Sequence, residues 1–262
     1  MTATPRAPTY TPPFGYGEIV PLQRTHRVLL PHGATPQFCR GINALAISYA
    51  ELTAAARHYP VVFASADAGA SYAPVIVLGL ADGENLFMSA AGDWDAAAYL
   101  PAYLRRYPFC LSKLYVDGEA RSGRVVCVAK AYVDDAGLAL FAEDGSPTPY
   151  WAHMERLLQA FEADLDRTAA MCAALARLGL FAPFTLTVMH DDVPGPKLEG
   201  MYRIDQARFD ALRPATLKAL QRKGFLGHLY AHLQSLENFA ALYDRAVAQA
   251  AARRGLQDAR TA

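Results

Sequence analysis

The run Pro74-Val75-Ile76-Val77-Leu78-Gly79-Leu80 limits the fold of this chain more than any other stretch. A strand with one wet face alternates apolar and polar side chains. This run is apolar at consecutive positions, so both of its faces must be covered, which predicts a central strand. Extended to residues 73–81 it is the longest fully apolar stretch of the chain, about half of the roughly 20 residues that a membrane helix needs. A permease is excluded on that length. Asp82-Gly83 can supply the positive backbone dihedrals of a tight turn, after which Asn85-Leu86-Phe87-Met88 predicts a short antiparallel return. Val61-Val62-Phe63-Ala64, set off by a small-residue turn at residues 65–71, predicts a neighbouring strand. Together these segments form a meander, not a nucleotide-binding βαβ unit.

Asp93-Trp94-Asp95 introduces a helical segment, with Pro101 at a first helical position and Pro108 ending it after Arg105-Arg106-Tyr107. Alternation over residues 124–130 predicts another strand. The acidic, Gly- and Pro-rich residues 134–149 mark the best internal boundary. Beyond them Met154, Leu157, Leu158, Phe161, Leu165, Cys172 and Leu175 recur at helical spacing, and Gly179 offers a left-handed stop. Residues 184–189 and 197–204 predict a second hairpin. Asp205 is placed to cap the next helix, with Ile204 and Phe209 stapled across it, and Pro214 divides that region into two short helices. Leu229, Leu233, Leu236, Ala240, Tyr243 and Val247 form one stripe of a last helix. The expected fold class is α+β: an antiparallel meander in the first half packed by amphipathic helices, then a helix-rich second half containing the second hairpin. Residues 1–17, rich in Pro and Thr, are expected to be a flexible arm. Residues 18–250 are read as one domain and residues 251–262 as a frayed tail.

Lys plus Arg and Asp plus Glu both number 25, so no global field steers the chain to nucleic acid or an anionic membrane. Cys39, Cys110, Cys127 and Cys172 are far apart in apolar surroundings without a Cys-x-x-Cys pair, which predicts reduced, packed thiols. The first residues carry proline and threonine where a secretory signal has an apolar core, so a cytoplasmic protein is expected. Ser48, Ser65, Ser89 and Ser235 lack a Gly-x-Ser-x-Gly elbow, Gly15-x-Gly17 is too short for a dinucleotide loop, and the phosphate-loop motif is absent. No cofactor is expected.

Several pieces read together as a pattern: Asn43-Ala44, Tyr59-Pro60-Val61-Val62-Phe63-Ala64, Leu78-Gly79-Leu80, Gly83-Glu84-Asn85-Leu86-Phe87, Gly92-Asp93-Trp94-Asp95, Tyr99-Leu100-Pro101-Ala102, Arg105-Arg106-Tyr107-Pro108-Phe109, and Leu229-Tyr230-Ala231-His232-Leu233 with Ser235-Leu236. The combination resembles the SapC-like family of bacterial proteins, distinct from a transporter permease that shares the name. The resemblance runs from about Val20 to Asp244. Such proteins accompany flavin-dependent halogenases, cupin-like oxygenases and outer-membrane receptors, so the resemblance implies an accessory role with a protein or peptide partner, in a halogenase or oxygenase pathway among others. It carries no catalytic residue onto this chain.

Two residue groups stand out as candidate sites. Arg105 and Arg106, near Asp93, Trp94 and Asp95 and beside Tyr103, combine paired donors for a carboxylate or phosphate with an aromatic wall. The structural alternative is an internal bridge, with Asp93 or Asp95 capping the helix or pairing to an arginine while Trp94 fills the core. After Pro101, at least one guanidinium must point away from the face that Leu104 buries, so the two arginines are expected to serve binding more than folding. His228 and His232, four apart on the last helix, are spaced to share a metal, with His190 and Asp191 as further ligands if the second hairpin folds over. The structural alternative is a part-buried histidine with one hydrogen-bond partner. The expected function is a non-catalytic binding or accessory protein that presents a peptide, protein or small anionic ligand to a partner. A metal-dependent enzyme built on the histidine pair and a surface-associated structural protein are the alternatives.

Overall fold

A computed structural model describes residues 9–31, 35–116, 119–190 and 193–261. Its strands are β1 (Thr9–Tyr10), β2 (Ile19–Pro21), β3 (Arg27–Val28), β4 (Ala44–Ala46), β5 (Val61–Ala64), β6 (Ala73–Val77), β7 (Phe109–Val116), β8 (Glu119–Ala129), β9 (Leu138–Ala139), β10 (Phe181–His190) and β11 (Val193–Ile204). Its α-helices are α1 (Leu52–Ala55), α2 (Ala102–Arg105), α3 (Pro149–Arg177), α4 (Gln206–Asp210), α5 (Pro214–Arg222), α6 (Leu226–Ser235) and α7 (Asn238–Thr261). The strand ladders are antiparallel, and the class is α+β as expected. The chain divides into two compact units, Met1–Pro36 with Tyr103–Ala163 and Gln37–Ala102 with Asp164–Ala262. None of these divisions falls inside residues 134–149.

The first unit holds a four-stranded sheet in the order β1-β7-β8-β2 and the small pair β3-β9. One core joins Val28, Phe109, Val128 and Leu140 to Trp151, Met154 and Leu158. The last three lie three and four apart, so one stripe of α3 supplies them, each contributing roughly 1.5–3 kcal/mol by leaving water. Trp151 meets Phe109 edge-on at 5.1 Å. Cys110 and Cys127, distant in sequence, stand opposite one another across the β7-β8 ladder as free thiols. Within the stretch read as an arm, Thr9 and Tyr10 pair with Tyr115 and Leu114, and the buried Tyr16 donates its hydroxyl to the Phe109 carbonyl at 3.0 Å.

The second unit holds a five-stranded sheet in the order β10-β11-β5-β6-β4. β6 lies inside it, between β5 and β4, as its apolar run predicts, and Ile76, Val77 and Leu78 are buried. The expected return strand at residues 85–88 is not one. Leu86 donates to the Leu78 carbonyl at 2.8 Å, but Phe87 then donates to the Asn85 side chain at 2.9 Å and Asn85 reaches the Cys39 carbonyl at 2.7 Å. An Asx-type bond of this kind turns the chain and competes with a ladder. The true second neighbour of β6 is the three-residue β4, too short to announce itself by alternation. The helix expected after Asp93-Trp94-Asp95 is confined to Ala102–Arg105, because the Asp95 amide folds back to the Phe87 carbonyl at 2.8 Å.

The long helix α3, the stop at Gly179 with φ +66°, the second hairpin and the Asp205 cap on the Arg208 amide at 3.1 Å all follow the sequence pattern. Pro214 opens α5. The expected single last helix is two helices, broken at Leu236 and Glu237, with the second continuing to Thr261. Its buried line is Leu229, His232, Ser235, Phe239 and Leu242, whereas Ala240 and Val247 are exposed. The line is displaced from the apolar stripe because His232 and Ser235 bury polar atoms that have partners elsewhere in the unit.

Candidate functional site

Those partners are on β5. The ladder that pairs Met201 with Ala64 and Tyr202 with Phe63 would next bring Ile204 opposite Val61. There the His232 imidazole takes the place of a direct rung. Its Nε2 accepts from the Ile204 amide at 3.1 Å and its Nδ1 donates to the Val61 carbonyl at 2.8 Å. Ser235 Oγ accepts from the Val61 amide at 3.0 Å, and Asn238 Nδ2 donates to the Ala56 and Tyr59 carbonyls at 2.8 and 2.9 Å. Spaced three apart, these side chains clamp the segment that leads into β5. Burial pushes the His232 ring down to about 4, in line with a neutral ring that uses one nitrogen as donor and the other as acceptor. Two segments that carry the family resemblance, Tyr59-Pro60-Val61 and His232 with Ser235, are thus bonded to each other.

His228 faces elsewhere. Its Nδ1 lies 3.0 Å from the Gly224 carbonyl, its Nε2 lies 3.0 Å from the Tyr49 carbonyl, and the ring stacks on Tyr49 at 3.9 Å. Burial lowers its affinity for a proton, although the two carbonyls oppose that shift. All four ring nitrogens of the pair therefore engage backbone atoms, so the histidines do not converge on a metal. Asp191 lies outside the described residues, as does the side chain of His190. Among the described residues no group of three His, Cys, Asp or Glu is placed to hold a metal ion.

The arginine candidates separate. Arg105 is exposed, while the Arg106 side chain is 4% exposed and so does not face solvent. Its guanidinium lies 4.3 Å from the Phe161 ring centroid and 4.6 Å from that of Tyr103, with Glu162 at 3.9 Å. Arg124 holds the same carboxylate at 2.9 Å. Tyr103 donates to the Phe14 carbonyl at 2.7 Å. These groups belong to the first unit, and Asp93, Trp94 and Asp95 to the second. There Trp94 Nε1 donates to the Tyr59 hydroxyl at 3.0 Å, and the Asp93 amide donates to Ser89 Oγ at 3.1 Å. Asp95 pairs with Arg245 at 2.8 Å; the Ala97 amide first, and then Arg245, hold its carboxyl below the usual range. Sequence reasoning missed Arg245, which lies one hundred and fifty residues from its partner with no local cue.

The same segment opens onto a cavity of about 620 Å³, walled by residues 81–85 and 88–90, by Arg40, and by Gln249 and Ala252 of α7. Local chemistry builds its rim. Gly83 takes φ +73°, and a Cβ on Gly79 would lie 2.1 Å from the Glu84 carbonyl oxygen, so this turn closes only over glycine. Glu84 accepts from the Leu80 amide at 3.0 Å and Asp82 from Asn43 at 3.3 Å. Gln249 Nε2 donates to the Leu86 carbonyl at 3.2 Å. Arg40 crosses Gly92, where a Cβ would meet its Nη2 at 2.7 Å, and donates to the Ala90 carbonyl at 3.2 Å. Each of the three charged groups is thus steadied by a neutral partner. The sequence pointed to this loop, but not to Arg40 or Gln249, which reach it from distant elements.

A family model described as SapC matches residues 24–242. No curated protein and no solved structure matches the chain. No described helix is long and apolar enough to cross a membrane.

Proposed function

This chain belongs to the SapC family, and from that premise we propose that it is a non-catalytic binding or accessory protein that holds a small ligand or peptide for a partner. The cavity beside residues 81–90 carries this reading. Its volume lies in the range of small-molecule sites, and its charged and amide groups are braced by hydrogen bonds before any ligand arrives. The groups that would otherwise suggest catalysis are engaged in structure. The histidines bond backbone atoms, and burial lifts the Cys39, Cys110 and Cys172 thiols to about 12 and Cys127 to about 11, far from a reactive thiolate. Arg105 is exposed and is a candidate contact for the partner.

Native mass spectrometry of protein purified without added ligand tests the reading. Ala252 is exposed on α7 and lines the cavity, so Ala252→Trp fills it from a helix that needs no repacking. The wild type is expected to carry a small-molecule or peptide adduct that the variant loses. An adduct kept by a folded Ala252→Trp variant would remove the cavity from the reading.

A further inference from the structure

The charges around the cavity say more about its occupant than its volume does. Arg40 and the carboxylates of Asp82 and Glu84 line one opening, yet each bonds a neutral group: Arg40 the Ala90 carbonyl, Asp82 the Asn43 amide, Glu84 the Leu80 amide. The rim therefore presents both signs of charge, held in place and not neutralised by one another. A purely anionic ligand would gain from Arg40 and be repelled by two carboxylates; a purely cationic one would meet the reverse. At separations of several ångströms near a protein surface each such interaction is strong enough to decide between ligands. Gln249 bonds the Leu86 carbonyl through Nε2, which leaves its Oε1 to accept from an ammonium.

We propose that this cavity takes a zwitterionic ligand of amino-acid to short-peptide size, with its ammonium toward Asp82 and Glu84 and its carboxylate toward Arg40. The proposal rests on the binding reading above and narrows it, since a small anion alone is no longer the favoured occupant. About 620 Å³ accommodates a dipeptide with room for side chains. The turn over Gly79 and the passage of Arg40 across Gly92 set the distance between the two charged poles, and a fixed distance favours ligands whose termini match it.

Calorimetric titration with three matched probes tests this: Ala-Ala, N-acetyl-Ala-Ala and Ala-Ala amide, which carry both charges, the anion only and the cation only. Ala-Ala is expected to bind at least about tenfold more tightly than either blocked form, a difference of about 1.4 kcal/mol. Arg40→Gln should bring Ala-Ala down to the level of the amide. Asp82→Asn/Glu84→Gln, whose amides keep the Asn43 and Leu80 bonds, should bring it down to the acetylated form. If Arg40→Gln disturbs melting, the second variant with all three probes decides alone. Equal binding of N-acetyl-Ala-Ala and Ala-Ala would make this an anion site and overturn the proposal. So would the absence of saturable binding by any of the three. In either case an adduct lost in Ala252→Trp would still uphold the binding reading, whereas an adduct indifferent to that substitution would take the cavity out of that reading and end this proposal with it.

Discussion

His232 is a histidine at the ideal spacing for a metal pair, yet both of its nitrogens hold backbone where β5 and β11 part. Its ring is pushed down to about 4 by burial, against an ordinary value near 6.5. Between those values the unfolded chain binds a proton that the native one does not, so stability is complete above about pH 6.5 and falls as pH drops toward 4, by roughly 3 kcal/mol for this group. Burial of His228 acts in the same direction. Removing the ring in His232→Ala strands the Val61 carbonyl and the Ile204 amide, with an expected loss of about 2–5 kcal/mol at neutral pH. Urea melts across this pH range should show both the loss and a flatter pH dependence; an unchanged slope would deny the histidine its role. For the arginines, expectations now diverge. Arg106→Ala opens a space under Phe161 and Tyr103 and should cost roughly 2–4 kcal/mol, whereas Arg105→Ala should stay within about 0.5 kcal/mol. Arg106→Met, which refills the volume, should recover much of that loss. Melts of the three variants check this, and an inert Arg106→Ala would return that residue to the list of binding candidates.

Elements whose identity depends on a repeating local pattern were legible. The apolar run of β6 required an interior strand, the stripe from Met154 to Leu175 required α3, and Asp205 and Pro214 marked the starts of α4 and α5. The loop after β6 carries the pattern of a hairpin strand without forming one, because alternation is silent about competing side-chain bonds. Asn85 spends its amide on the Cys39 carbonyl and its oxygen on the Phe87 amide, so the chain bends. Glycine at position 79 lets the bend close on the Glu84 carbonyl, and Gly79→Ala would place a methyl 2.1 Å from that oxygen. Because the obstruction is backbone, the substitution should cost about 2 kcal/mol or more. It should also displace Glu84 from the cavity rim. Melting together with Ala-Ala titration reads both effects, and a variant with native melting and native affinity would show that the close approach is dispensable. The buried line of the last helices departs from the apolar stripe for a related reason. Hydrophobic periodicity favours Leu233 and Ala240, whereas the buried line runs through His232 and Ser235, whose polar atoms are satisfied by Val61 and Ile204.

For the molecule as a whole, the four thiols give a compact test. All are buried and free, and burial raises each one above the usual thiol range. A thiol reagent at neutral pH should label none of them in the native protein and all of them once it is denatured, and melting should be the same with and without reductant. Fast native labelling, or a large loss of stability on reduction, would contradict this state. Cys110 and Cys127 also show where inference from the chain alone ends: they are distant in sequence, and the β7-β8 register sets them face to face. By itself the sequence determined the α+β class, the interior strand, the long helix, the second hairpin and the family. These follow from side-chain periodicity, turn residues and motif order, each expressed within a few neighbouring residues. The tertiary structure alone decided which distant groups meet: His232 with Val61, Arg245 with Asp95, Arg40 and Gln249 with the loop after β6. A hydrogen bond or ion pair forms wherever folding brings its partners within reach, and between residues far apart in the chain that reach is set by strand register and helix placement, which no local pattern encodes.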